Sequence, residues 1–124
     1  MTKAADTLRA AKALIQDEAR WVTGNYAVTD NGNAIGAYSP NACRFCAVGA
    51  LANVSGMSPR EVELEDKFLP GVFLNRAAKE LGRWSPHVIN DEWGHAKVME
   101  MYDLAISMAE SSGVSRPLPT STGE

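Results

Sequence analysis

Apolar positions along this chain fall into runs with helical spacing, punctuated by Ser-Pro pairs and glycines. Leu8, Ala11, Leu14 and Ile15 recur at three- and four-residue intervals, with Arg9, Lys12, Gln16 and Asp17 between them. That spacing predicts an amphipathic helix over 2–19. Trp21 and Val22 follow it and are expected to fold back onto the core. Residues 39–51 have a different pattern, Ser-Pro-Asn-Ala-Cys-Arg-Phe-Cys-Ala-Val-Gly-Ala-Leu. Ser39 suits a helix cap and Pro40 the first helical position. From Cys43 to Ala52 only Arg44 is charged. A helix that is apolar all round is buried on all sides. The pattern therefore predicts a buried central helix over 40–53 that carries both cysteines.

Further start and stop signals mark the remaining helices. Ser58, Pro59 and Glu61 form a capping-box pattern and predict a short, mostly charged helix over 59–66. A helix over 70–81 follows, with Val72, Phe73, Ala77 and Leu81 among its inward positions and Gly82 as its stop. Ser85-Pro86 suggests a single turn. Asp91 reads as the cap of a last helix over 92–110, with Trp93, Val98, Met101, Leu104, Ala105 and Met108 as its apolar face. Between the first two helices the residue types change. Val22, Tyr26, Val28, Ile35 and Tyr38 surround Asn31-Gly32, a strong hairpin signal, so strands are expected near 25–29 and 34–38. The expected fold is mainly α with minor β: four to five helices around a buried central helix, and one small β-hairpin. A single globular domain spans 1–111. Residues 112–124, rich in Pro, Ser, Thr and Gly, are expected to form a disordered tail.

Composition narrows the function classes. The 124 residues are 45% hydrophobic and 22% charged, with a net charge of −3. An acidic balance with scattered Lys and Arg disfavours nucleic acid as a partner, because phosphate binding needs clustered cations. The helix over 70–81, with Arg76 and Lys79, is the one stretch that suits a DNA-reading helix. No apolar run reaches the roughly 20 residues of a membrane span. Asp6, Arg9 and Lys12 break the layout of a signal peptide. Two cysteines three apart on one helix are poorly placed for a disulfide, which predicts a reduced, cytoplasmic protein.

The residues able to carry chemistry are few. Cys46, with His95 as base and Asp91 or Asn90 as orienting group, satisfies the nucleophile–base–orienter logic of cysteine enzymes, and Asp91 and His95 are i and i+4. The plainer reading makes Asp91 a cap and buries the cysteines in the core. Trp84, His87, Asn90 and Trp93 place two tryptophans among polar groups and form a candidate binding surface. Cys43, Cys46, His87 and His95 are a poor zinc set, since the two histidines are eight apart. No metal and no cofactor is expected.

The order of features resembles an uncharacterised family of small bacterial and phage proteins, a domain of unknown function. The residues that carry the resemblance are Leu8 to Trp21, Ser39-Pro40 through Phe45-Cys46-Ala47-Val48-Gly49-Ala50-Leu51, then Asn90-Asp91, His95, Val98 and Ala105-Ile106. Members often have Cys after the first Trp and an aromatic before Asn-Asp; here Val22 and Ile89 occupy those places. The resemblance implies a small accessory protein from a phage or mobile element and no particular activity. The favoured expectation is a non-catalytic binding protein acting on a protein or small-molecule ligand. The alternative is a cysteine-dependent hydrolase or transferase using Cys46, His95 and Asp91. Apolar residues of the last helix leave room for a homodimer.

Overall fold

A computed structural model of the chain describes residues 3–64, 67–83 and 85–111, with the backbone alone for 63 and 64. The expected tail over 112–124 and Trp84 lie outside the described residues. Among the described residues the chain forms six helices: α1 Lys3–Ile15, α2 Ala47–Ser55, α3 Pro59–Leu64, α4 Leu69–Glu80, α5 Pro86–Glu92 and α6 His95–Ser111. Two short strands, β1 Ala27–Val28 and β2 Arg44–Phe45, pair antiparallel with Ala27 opposite Phe45 and Val28 opposite Arg44. The fold is mainly helical with a small two-stranded sheet, as the sequence predicts.

The amphipathic first helix is present but shorter than its pattern. Ala4, Ala5, Leu8, Ala11 and Ile15 of α1 are buried. Past Ile15, the Asp17 carboxylate accepts from the Ala19 N–H at 2.9 Å and starts a separate 3-10 turn over Glu18–Arg20. Helix α1 packs on α2 and on α6, and α4 packs against α6. Lys12 pairs with Asp103 at 2.7 Å and Arg9 with Glu110, so α1 and α6 run antiparallel. Exposed pairs of this kind fix alignment more than they stabilise. Met99, Leu104, Ile106 and Met108 of α6 are partly buried against the chain's own core.

The central helix is buried, and it starts seven residues later than the Ser39-Pro40 signal suggests. Ser39 caps only a turn: its hydroxyl accepts from the Asn41 N–H at 3.1 Å. The chain then extends alongside β1. The Cys43 N–H donates to the Val28 carbonyl at 2.8 Å and the Cys46 N–H to the Tyr26 carbonyl at 3.1 Å. These non-local bonds override the local helix signal, and Cys46 becomes the cap of α2, its Sγ accepting from the Gly49 N–H at 3.2 Å. From Ala47 to Ala52 every residue is buried.

The Asn31-Gly32 turn forms where expected, closed by Thr29 N–H to Asn33 O at 2.8 Å and Gly32 N–H to Thr29 O at 2.9 Å. Its returning arm makes only a bridge, Val28 to Ala34, and β2 takes the other edge of β1. The Ser58–Glu61 capping box is complete, with Ser58 N–H to the Glu61 carboxylate at 2.9 Å and Glu61 N–H to the Ser58 hydroxyl at 3.1 Å. At the far end, Ser85-Pro86 opens a full helix, α5, that contains Asp91. Asp91 is therefore not the cap of the last helix. Gly94, at φ 91, breaks the chain in the left-handed region, and α6 begins at His95.

Gly49 sets how closely α2 approaches the strand segment. A Cβ at this position would lie 1.8 Å from the Tyr26 carbonyl oxygen and 2.7 Å from its carbon. The obstacle is backbone, so the helix or the strand must move. Gly49→Ala is expected to destabilise the fold by about 2–4 kcal/mol, at or above the usual range for overpacking. Urea denaturation measures it, and an unchanged midpoint would contradict the packing described.

Candidate functional site

Asn90 is the one buried polar side chain among the described residues, and its amide is fully used. Its oxygen accepts from the Trp21 indole N–H at 2.6 Å and from the Ala47 N–H at 2.9 Å. Its nitrogen donates to the Val22 carbonyl and to the Asp91 carboxylate, both at 3.0 Å. The first N–H groups of a helix have no intrahelical partner. Asn90 supplies one for α2, and so joins α5, the start of α2 and the segment after α1. Asp91 extends the network: the same carboxylate oxygen accepts from the Gly24 N–H at 3.1 Å.

A cavity of about 340 Å³ opens beside this network, lined by Gly24, Asn25, Tyr26, Cys46, His87 and Asp91. Three segments meet there: the loop before β1, the cap of α2, and one face of α5. His87 and Asp91 are i and i+4 on α5 and so share that face. Both are exposed, while Cys46 at 4% accessibility forms the floor. The Ser85 hydroxyl lies 3.1 Å from His87 Nδ1, which orients the imidazole.

The residues singled out from sequence separate into distinct roles. Cys46, His87 and Asp91 come together in the cavity. His95 does not: its Nε2 lies 2.8 Å from the Ile15 carbonyl and its ring meets Trp21 edge-on at 5.4 Å. His95, at the start of α6, is thus engaged with the end of α1 and with Trp21, and the imidazole that lines the cavity is that of His87. Asn90 lies beneath the site as its support and presents no exposed face. Trp93 is partly buried against the core, with the Arg83 guanidinium 4.5 Å from its ring and the Lys97 ammonium 5.9 Å away. Trp84 lies outside the described residues. Among the described residues, no three His, Cys, Asp or Glu side chains are grouped to hold a metal ion.

Sequence reading missed Gly24, Asn25 and Tyr26, which form one wall. Nothing in their local pattern points to a site; they reach it because the Gly24 N–H is tied to Asp91, 67 residues away.

A family model describing a family of unknown function, DUF6197, matches residues 1–108. The chain belongs to that family. No curated protein and no solved structure matches it. The matched span takes in every residue of the DUF6197 member's cavity and of the Asn90 network. No helix among the described residues is long and apolar enough to cross a membrane.

Tyr102 lies under the floor of the site, fully buried, and its hydroxyl donates to the Ala47 carbonyl at 2.6 Å. Burial, and secondarily the nearby Cys46 charge, pushes its hydroxyl well above its ordinary value of 10.0. The neutral phenol is the form the fold accepts. Above pH 10 the unfolded chain releases a proton that the folded chain keeps, so stability from this group is intact below pH 10 and falls as pH rises beyond it. Urea midpoints between about pH 9 and 11 should fall more steeply for the native sequence than for Tyr102→Phe. Parallel profiles would show that this hydroxyl does not couple to folding.

Proposed function

We propose that this family member is a small non-catalytic binding protein whose ligand is a small molecule seated over the start of α2. One observation carries the reading: the Cys46 residue that caps α2 and the His87 and Asp91 residues of α5, much further along the chain, line one cavity of about 340 Å³. That volume suits the small end of ligand sites. Asp91 favours a ligand with an amine or another donor group, and Tyr26 offers it an apolar wall. Cys43 and Cys46 are not joined in a disulfide, which suits the reducing cytoplasm.

The cysteine-dependent hydrolase or transferase is the second reading, with His87 now in the place of the base. It is favoured by the Cys46 Sγ sitting at the first turn of α2, where the Gly49 N–H and the helix dipole stabilise a thiolate. Against it stands the backbone. Acyl transfer gains its largest single contribution from N–H groups aimed at the developing oxyanion. Here the Cys46 N–H is bonded to Tyr26 and the Ala47 N–H to Asn90. The donors nearest the sulfur are committed to the fold, which favours binding over acyl chemistry.

Amide spectra recorded during titration with a panel of small amines, and with neutral amides of matched size, test the binding reading. At least one amine is expected to give saturable shifts at Gly24, Asn25, Tyr26 and Asp91. His87→Trp, a substitution at an exposed position that fills the mouth, should remove those shifts without loss of thermal stability. Silence from every amine, or shifts confined to other surfaces, would overturn it. Iodoacetamide separates the second reading. Fast native labelling of Cys46 that His87→Ala slows would favour the nucleophile, and labelling only after unfolding would exclude it.

A further inference from the structure

A second cleft, of about 290 Å³, lies on another part of the surface and is lined by Ala19, Arg20, Asp30, Ala42, Cys43 and Arg44. Its groups come from three places: the 3-10 turn after α1, the turn after β1, and the extended segment that ends in β2. Cys43 is half-buried and its thiol donates weakly to the Asn41 carbonyl at 3.5 Å. The Arg44 guanidinium is anchored by donation to the Thr29 carbonyl at 3.4 Å. Among the described residues neither Arg20, Arg44 nor Asp30 takes part in an ion pair. The cleft therefore presents two guanidinium groups, one carboxylate and one thiol with their charges uncommitted, in a protein whose net charge is −3.

We propose that this cleft is a site of mixed-disulfide formation at Cys43 with a small zwitterionic thiol of the glutathione class, carrying two carboxylates and one ammonium group. Arg20 and Arg44 face the carboxylates, since guanidinium groups bind carboxylates in paired, charge-assisted hydrogen bonds. Asp30 faces the ammonium group. The oxidant is the disulfide form of that thiol. The Cys43 sulfur, its proton lost to solvent, attacks one sulfur of the disulfide. A Cys43–sulfur bond forms as the original sulfur–sulfur bond breaks, and the displaced thiolate leaves with the electron pair and takes up a proton from solvent. Cys46, buried as the cap of α2, has no part in the exchange.

The native chain, incubated separately with oxidised glutathione, with the cationic disulfide cystamine and with neutral 2-hydroxyethyl disulfide, tests the proposal. Tryptic cleavage after Arg44 separates Cys43 from Cys46, so mass spectrometry assigns each adduct. The same reactions in urea divide out intrinsic reactivity. Adducts are expected on Cys43, with the rate ratio of glutathione to cystamine about tenfold higher in the folded than in the unfolded chain, as fits two facing cations near a surface. High salt should reduce that ratio towards the unfolded value, and so should Arg20→Gln, which keeps the cleavage site after Arg44. The salt arm uses the unaltered protein, so poor folding of the variant leaves the test standing. Equal ratios in the folded and unfolded chains, adducts on Cys46 alone, or no adduct on the folded chain would each overturn the proposal.

Discussion

The fold around the cavity depends on one buried amide. Asn90 has two acceptor positions and two N–H groups, and all four are engaged. Burial of an unpaired amide costs several times what one hydrogen bond returns. The converse also holds: without Asn90, the Trp21 indole and the Ala47 N–H lose their acceptor, each at about 1–3 kcal/mol. One side chain thus locks α5 to the start of α2 and to the segment after α1.

That lock explains why the cavity has the walls it has. With Ala47 N–H held by Asn90, α2 starts at a fixed point, and Cys46 has to cap it. Gly49 then allows the Tyr26 backbone against the first turn of α2. The next residue along α5, Asp91, ties down Gly24 and closes the loop that carries Tyr26. The Phe-Cys-Ala-Val-Gly-Ala-Leu run is a packing device: strand residue, cap, buried first turn, and a glycine where backbone meets backbone. The same arrangement occupies the N–H groups that acyl chemistry would require, which supports the binding role proposed for the site.

Much of this was legible in the chain, for a physical reason. Helical spacing reports burial, so α1, α4 and α6 and the central buried helix follow from their apolar positions. The Ser58–Glu61 box is local chemistry and is read directly. Failures occur where distant partners decide. Ser39-Pro40 looks as good a start as Ser58-Pro59, yet hydrogen bonds to Val28 and Tyr26 draw residues 43–46 into an extended segment. Asp91 looks like a cap, and Gly94 gives it to the preceding helix instead. Which histidine lines the cavity with Cys46 is a matter of helix direction: His95 turns towards Ile15 and His87 towards the cavity. No pattern within either segment could settle that choice.

Amide hydrogen exchange at Ala47 tests the role of Asn90 most directly. A first-turn N–H exposed at a helix end exchanges by local fraying, whereas one held by a buried side chain exchanges only when the domain opens. Ala47 is expected to exchange as slowly as Ala50, whose N–H lies within the buried first turn and donates to the Cys46 carbonyl at 2.9 Å. Exchange at Ala47 orders of magnitude faster than at Ala50 would mean that Asn90 does not hold the start of α2.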